Sequence, residues 1–201
     1  MEPDSQAVDE PPQPKRRSWL PGAVVAVVIV VGVGAALVFT SGGDGEADGS
    51  FPTLAVGIPA PDPDSAEPAP DFSADIFDGT TFRLSEHQAN DGRPVLLNLW
   101  ASWCFPCREE MPAIDAVATQ HPEILFIGVA VEDDPTAAQD FADEVGVGYI
   151  LGIDETDRLQ ELYPALGLPA TFLISDDGRI LGQLFGGASE ATFEEFVAGA
   201  A

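Results

Sequence analysis

The sequence predicts an α/β domain with a central mixed sheet flanked by helices, an N-terminal hairpin and a helical insertion, preceded by one membrane-crossing helix. Three observations carry this. Two short apolar runs, residues 95–100 and 124–131, read as buried strands, and the helical stretch between them makes them parallel neighbours. Two more runs, 171–174 and 180–185, are divided by Asp176-Asp177-Gly178, the mark of an antiparallel hairpin. Finally, the chain carries no Asp, Glu, Lys or Arg from Ser18 to Gly43, and its apolar part, residues 19–39, is long enough for a membrane span.

With 201 residues the chain suits one domain plus attachments. Residues 1–18 are acidic and interrupted by Pro11-Pro12-Gln13-Pro14, so they are expected to form a disordered cytoplasmic tail. Lys15, Arg16 and Arg17 stand just before the apolar run and place the N-terminus in the cytoplasm, with the remainder outside. As a helix the run reaches about 31 Å, at about 1.5 Å per residue. A cleaved leader would have an apolar core of about 7–15 residues followed by a small-x-small site. Here Ala35-Ala36 lies inside the run, so an uncleaved signal anchor is expected. Residues 40–68, rich in Gly, Pro, Asp and Ala, are expected to be a flexible acidic linker, and residues 69–201 the folded domain.

Inside the domain, 72–77 and 80–84 flank Asp78-Gly79 as a hairpin, and Ser85-Glu86-His87-Gln88 follows as a short helical turn. After strand 95–100 a helix is expected from Cys104 to Gln120, bent or interrupted at Pro112, with Ile114, Val117 and Ala118 as its buried stripe. Asp133-Asp134-Pro135 opens another helix that stops at Gly146. A short strand at 149–151 and a short helix at 158–166 precede the second hairpin. A last amphipathic helix, 189–198, buries Phe193, Phe196 and Val197. His87 and His121 are placed in loops and given no chemistry.

Both cysteines lie in Trp103-Cys104-Phe105-Pro106-Cys107, directly after strand 95–100. Pro106 presets a first helical turn, so Cys104 sits at a helix start and Cys107 one turn along on the same face. Unpaired N–H groups and the positive end of the helix dipole favour a thiolate at Cys104, which is expected to be exposed and to attack first. Cys107, one turn deeper, is expected to be buried and to resolve the mixed disulfide. A purely structural bridge is the weaker reading, because a CxxC pair closes almost no loop. A zinc site would need two more ligands, and the other candidates, His87 and His121, form no spaced pair.

The string Leu-Asn-Leu-Trp-Ala-Ser-Trp-Cys-Phe-Pro-Cys-Arg-Glu-Glu-Met-Pro, 97–112, resembles the active site of thioredoxin-like proteins, and in particular the membrane-anchored TlpA/ResA/DsbE group of thiol-disulfide oxidoreductases. The resemblance extends from about Ala69 to Ala198 and includes Gly167-Leu168-Pro169-Ala170-Thr171-Phe172. It implies a thioredoxin-like fold. It also implies that Pro169 is the cis proline facing the CxxC loop, leaving the Leu168 backbone open to an extended substrate. Asn98 matches the place where thioredoxin has a buried Asp. Glu110 matches a glutamate that this group carries near its thiols, and as a half-buried carboxylate of raised pKa it would take the proton from Cys107. Trp103 and Phe105 are expected on the docking surface beside Pro106, while Trp100 fills core. Arg108 either adds positive charge near Cys104 or is simply solvated.

The implied activity is an extracytoplasmic thiol-disulfide oxidoreductase held at the cell membrane by a single span. It would reduce protein disulfides, with apocytochrome c as client and a membrane electron donor fed by cytoplasmic thioredoxin. An oxidase that installs disulfides uses the same residues. A peroxidase would need a Pro/Thr-flanked cysteine that Leu99-Trp100-Ala101-Ser102-Trp103 does not supply. A copper- or haem-handling module would need wider cysteine spacing and a downstream His, and none follows His121. No cofactor or metal is expected beyond the Cys104–Cys107 pair. Of 34 acidic and 8 basic residues, four and three precede the span, leaving 30 acids against five arginines beyond it. That field opposes nucleic acid and gives a solvated acidic surface.

Overall fold

The computed structural model describes residues 56–59 and 66–200. Its elements in chain order are β1 (Val56–Pro59), β2 (Ser73–Ile76), β3 (Thr81–Arg83), α1 (Leu84–Asn90), β4 (Val95–Trp100), α2 (Phe105–Gln120), β5 (Leu125–Ala130), α3 (Pro135–Val145), β6 (Ile150–Ile153), α4 (Leu159–Leu162), β7 (Ala170–Ile174), β8 (Ile180–Phe185) and α5 (Glu190–Val197), with a 3-10 turn at Ala198–Ala200. The strands form one mixed sheet in the order β1-β8-β7-β4-β5-β6-β2-β3. The strands β4, β5 and β6 are parallel, β7 runs antiparallel to β4, and β8 runs antiparallel to β7.

Every residue of β4 and β7 is buried, as a central strand covered on both faces must be. Alternation along β4 then sorts side chains onto two cores. Leu96 and Trp100 meet Met111, Ile114 and Val117 of α2, Phe141 of α3 and Phe193 and Val197 of α5. On the opposite face Leu97 and Leu99 join Ile127, Val129, Phe172, Leu84, Leu159 and Tyr163. The Trp100 ring stacks on Phe141 at 5.1 Å, which places it in the core as expected. Asp134 caps α3 by accepting from the N–H groups of Thr136 and Ala137, and Gly146 ends that helix in the left-handed conformation, φ 66°.

The structure departs from expectation in several places. The expected tail and membrane span, and most of the expected linker, lie outside the described residues. Among the described residues no helix is long and apolar enough to cross a membrane. Part of the expected linker is not a tether: Val56–Pro59 pairs antiparallel with β8, and Ala66 is buried while Glu67 accepts from the Ile180 N–H. The reason is the outer edge of β8, whose backbone groups gain partners from β1. The helix after Cys104 runs through Pro112 as one element, because buried Met111, Ile114 and Val117 hold both halves against the sheet. The insertion contributes a full strand, β6, parallel to β5. The expected helix 158–166 shrinks to Leu159–Leu162, since Tyr163, extended at φ −120° and ψ 73°, precedes Pro164. The helical turn expected at 85–88 lengthens to α1, which takes in His87, and His121 is the C-cap of α2.

Candidate active site

The chain leaves the C-terminal end of β4, turns through Ala101 to Trp103, and enters α2 with Cys104 as its N-cap. A clamp fixes this turn: Asp133, just after β5, accepts from both the N–H and the hydroxyl of Ser102, and the Trp103 indole N–H donates to the Glu132 carbonyl at 3.2 Å. Glu132 itself has φ 50°, a left-handed conformation rare outside glycine.

Cys104 and Cys107 are joined by a disulfide, with their Cα atoms 5.3 Å apart. The Cys107 N–H donates to Cys104 Sγ at 3.2 Å, so the helix start offers its free donor to that sulfur. Pro106 occupies the first turn, where its missing N–H costs nothing. Cys107 is fully buried, as expected. Cys104 is not the exposed residue that the sequence suggested: only 4% of its surface reaches solvent in this oxidised state. It lies within the core cluster against which Leu168 packs, and its sulfur is turned into the helix end. Exposure belongs instead to its neighbours, Trp103 at 62% and Phe105 at 68%. The Leu168–Pro169 peptide is cis, and Pro169 stands at the entry to β7, where its carbonyl accepts from the Gly186 N–H.

Arg108 does not serve the sulfur. Its guanidinium pairs with Glu144 at 2.9 Å and lies 4.5 Å over the Phe141 ring. Arg83, Arg93 and Arg179 are likewise engaged by Asp71, Asp91 and Asp177. Among the described residues there is no group of three or more His, Cys, Asp or Glu placed to hold a metal.

Glu110 is buried, more deeply than the half-burial expected, with only 2% of its surface exposed. It sits one turn beyond Cys107 on the same side of α2. Its Oε1 accepts from Asn98 Nδ2 at 2.8 Å and its Oε2 from the Ala188 N–H at 3.2 Å. Burial pushes its pKa up to about 8, against the opposing pull of those two donors. A carboxyl in that range is matched to a thiol of ordinary pKa near 8.5, so a proton can pass between the two at little cost.

Two polar contributors received no role from the sequence alone. Thr171 lies directly opposite Asn98 across the β4–β7 ladder and accepts from the same Nδ2 at 3.0 Å. The signal was available, since Asn98 and Thr171 are lone polar residues within apolar strands. Asp133 offered none, being one of many acids in a loop.

The AhpC/TSA family model matches residues 66–182, more than half of the chain. The thiol-disulfide oxidoreductase ResA of Bacillus thuringiensis is 26% identical over 131 residues, covering 64% of this chain and 74% of its own. The thiol:disulfide interchange protein HelX of Rhodobacter capsulatus is 34% identical over 113 residues, 56% of this chain and 63% of its own. Among solved structures, a thiol:disulfide interchange protein DsbE from Chlorobium tepidum superimposes with a TM-score of 0.61 at 27% identity, covering 68% of this chain and 97% of that one. The redox pair at the head of α2 and these likenesses agree: the chain belongs to the AhpC/TSA family, with a thioredoxin-like fold, and is a thiol-disulfide oxidoreductase.

Proposed function

We propose that the protein is a membrane-tethered, extracytoplasmic reductant of protein disulfides, with Cys104 as attacking and Cys107 as resolving thiol. The observation that supports this most is the sharing of one helix face by the cysteine pair and the buried Glu110 carboxyl. A membrane electron-donor protein, drawing on cytoplasmic thioredoxin, supplies two electrons and opens the Cys104–Cys107 bond. The Cys104 thiolate then attacks a client disulfide. The client S–S bond breaks, a mixed disulfide forms, and the departing client sulfur takes a proton from water. Glu110 in its ionised form next takes the proton of Cys107, whose sulfur attacks Cys104 Sγ. The mixed disulfide breaks, the second client thiolate leaves, and the Cys104–Cys107 bond returns. The client has gained two electrons and the pair has lost them.

Trp103 and Phe105 are the apolar contacts for the client beside Pro106, and the Leu168–Pro169 backbone at the entry to β7 is the edge on which an extended client pairs. Apocytochrome c, whose two cysteines must be reduced before haem attachment, is the proposed client. The apolar run 19–39 is the proposed anchor, leaving residues 69–201 outside the membrane. The outer compartment favours oxidation, so a reductant there needs this continuous recharging.

Equilibration with glutathione buffers measures the reduction potential of the pair. A value toward about −270 mV is expected for a reductant, and one near about −120 mV overturns that direction in favour of an oxidase. Cys107→Ser should accumulate client mixed disulfides on Cys104. Recovery of no such adducts from the membrane fraction would count against the proposed order of attack.

A further inference from the structure

We propose that Asn98 and Thr171 are positioning residues for the Glu110 carboxyl: the Asn98 side-chain amide turns over whenever Glu110 gains or loses its proton. This rests on the reading of Glu110 as the acceptor of the Cys107 proton. In the arrangement observed, both groups facing the carboxyl are donors, Asn98 Nδ2 toward Oε1 and the Ala188 N–H toward Oε2. That is the environment of an anion. Yet the side chain is buried, and burial favours the neutral acid. A proton on either oxygen would point an O–H at an N–H.

The Ala188 donor is backbone and cannot become an acceptor. Asn98 can. Its Oδ1 is buried and has no hydrogen-bond partner, so a half-turn of the amide places that oxygen where it accepts from a protonated Oε1. The same turn faces Oδ1 toward Thr171 Oγ1, and a hydroxyl can change from acceptor to donor. Both residues sit on paired central strands, opposite one another in register, so the pair has a rigid seat. Of the titratable groups, Cys107 lies one turn back on the same side of α2, and the Tyr149 phenol, from the segment before β6, is near enough to feel the carboxylate charge. The faces given by β4, β7 and Ala188 are neutral. During resolution the proton moves from Cys107 Sγ to Glu110 Oε1, the amide turns, and the sulfur's electron pair forms the new bond to Cys104.

The test uses the whole chain in detergent. Reduced protein is treated with Ellman's disulfide, and release of the second thionitrobenzoate reports Cys107 attack as a function of pH. Asn98→Leu should move the inflection upward by about one pH unit, because a hydrogen bond to an anion is roughly twice as strong as one between neutral groups. Thr171→Val should move it the same way by less, and Thr171→Ser should restore the wild-type profile. In the unmodified protein, the Asn98 amide proton held by the carboxylate at high pH should lose its low-field NMR position as Glu110 protonates. Superimposable profiles for Asn98→Leu and Thr171→Val, or an amide signal indifferent to pH, overturn the inference. If Glu110→Gln removes the inflection in that case, Glu110 still stands as the acceptor. If Glu110→Gln keeps the wild-type inflection, the acceptor reading falls and this inference falls with it.

Discussion

Replacing Glu110 by Gln should make the oxidised protein more stable in alkali while leaving it unchanged in acid. The native carboxyl titrates at about 8 against 4.5 for a free side chain, because burial penalises its ionised form. Below pH 4.5 both folded and unfolded chains hold the proton, and the group contributes nothing. Between the two values the folded chain keeps a proton that the unfolded chain has released, so stability falls as pH rises. At about 1.4 kcal/mol per pH unit the loss is about 3 kcal/mol by pH 7 and on the order of 5 kcal/mol above pH 8. A glutamine of the same shape escapes this penalty, since its carbonyl still accepts a hydrogen bond. Urea unfolding of both proteins with the disulfide intact, from pH 4 to pH 9, measures the difference. The curves should meet at the acid end and diverge upward. Curves that stay parallel would show that Glu110 is not held neutral by burial.

Phe105→Ala should lower kcat/KM toward a protein disulfide about tenfold, from roughly 1.5 kcal/mol of apolar contact, while its exposed position keeps stability within about 0.5 kcal/mol. His121 joins the end of α2 to Glu194 of α5 at 2.9 Å and also meets Glu123, and these hydrogen bonds raise its pKa, Glu194 first. Its contribution is therefore complete below the unfolded value near 6.5 and is lost as pH rises through the folded one. His121→Gln should destabilise at pH 5 and leave stability unchanged at pH 9, as read by thermal unfolding. Gly152→Ala should cost about 1–3 kcal/mol in urea unfolding, because the added methyl would stand 2.6 Å from the Asp75 backbone carbonyl at the β2–β6 pairing.

The central strands, the crossover helix, both hairpins and the cysteine pair were legible because each rests on local pattern: apolar runs, turn residues and a spacing of three. Glu110 and Pro169 were legible through likeness to a known active site. What escaped depends on partners distant in sequence. No periodicity in Val56–Pro59 announces that the outer edge of β8 needs a neighbour. Pro112 suggested a break, yet tertiary burial on both sides of it outweighs one missing hydrogen bond. The small exposure of Cys104 follows from its role as helix cap in the oxidised state, which spacing alone does not report.

Arg108, with its charge committed to Glu144 and the Phe141 ring, leaves the attacking sulfur to be stabilised by the peptide N–H groups at the start of α2. Fixed backbone dipoles in van der Waals contact with an atom are not displaced by counter-ions, whereas exposed side-chain charges are screened over about 8 Å at physiological ionic strength. Added salt should thus slow or speed the approach of charged clients to this acidic surface, yet leave the alkylation rate of the reduced Cys104 nearly constant.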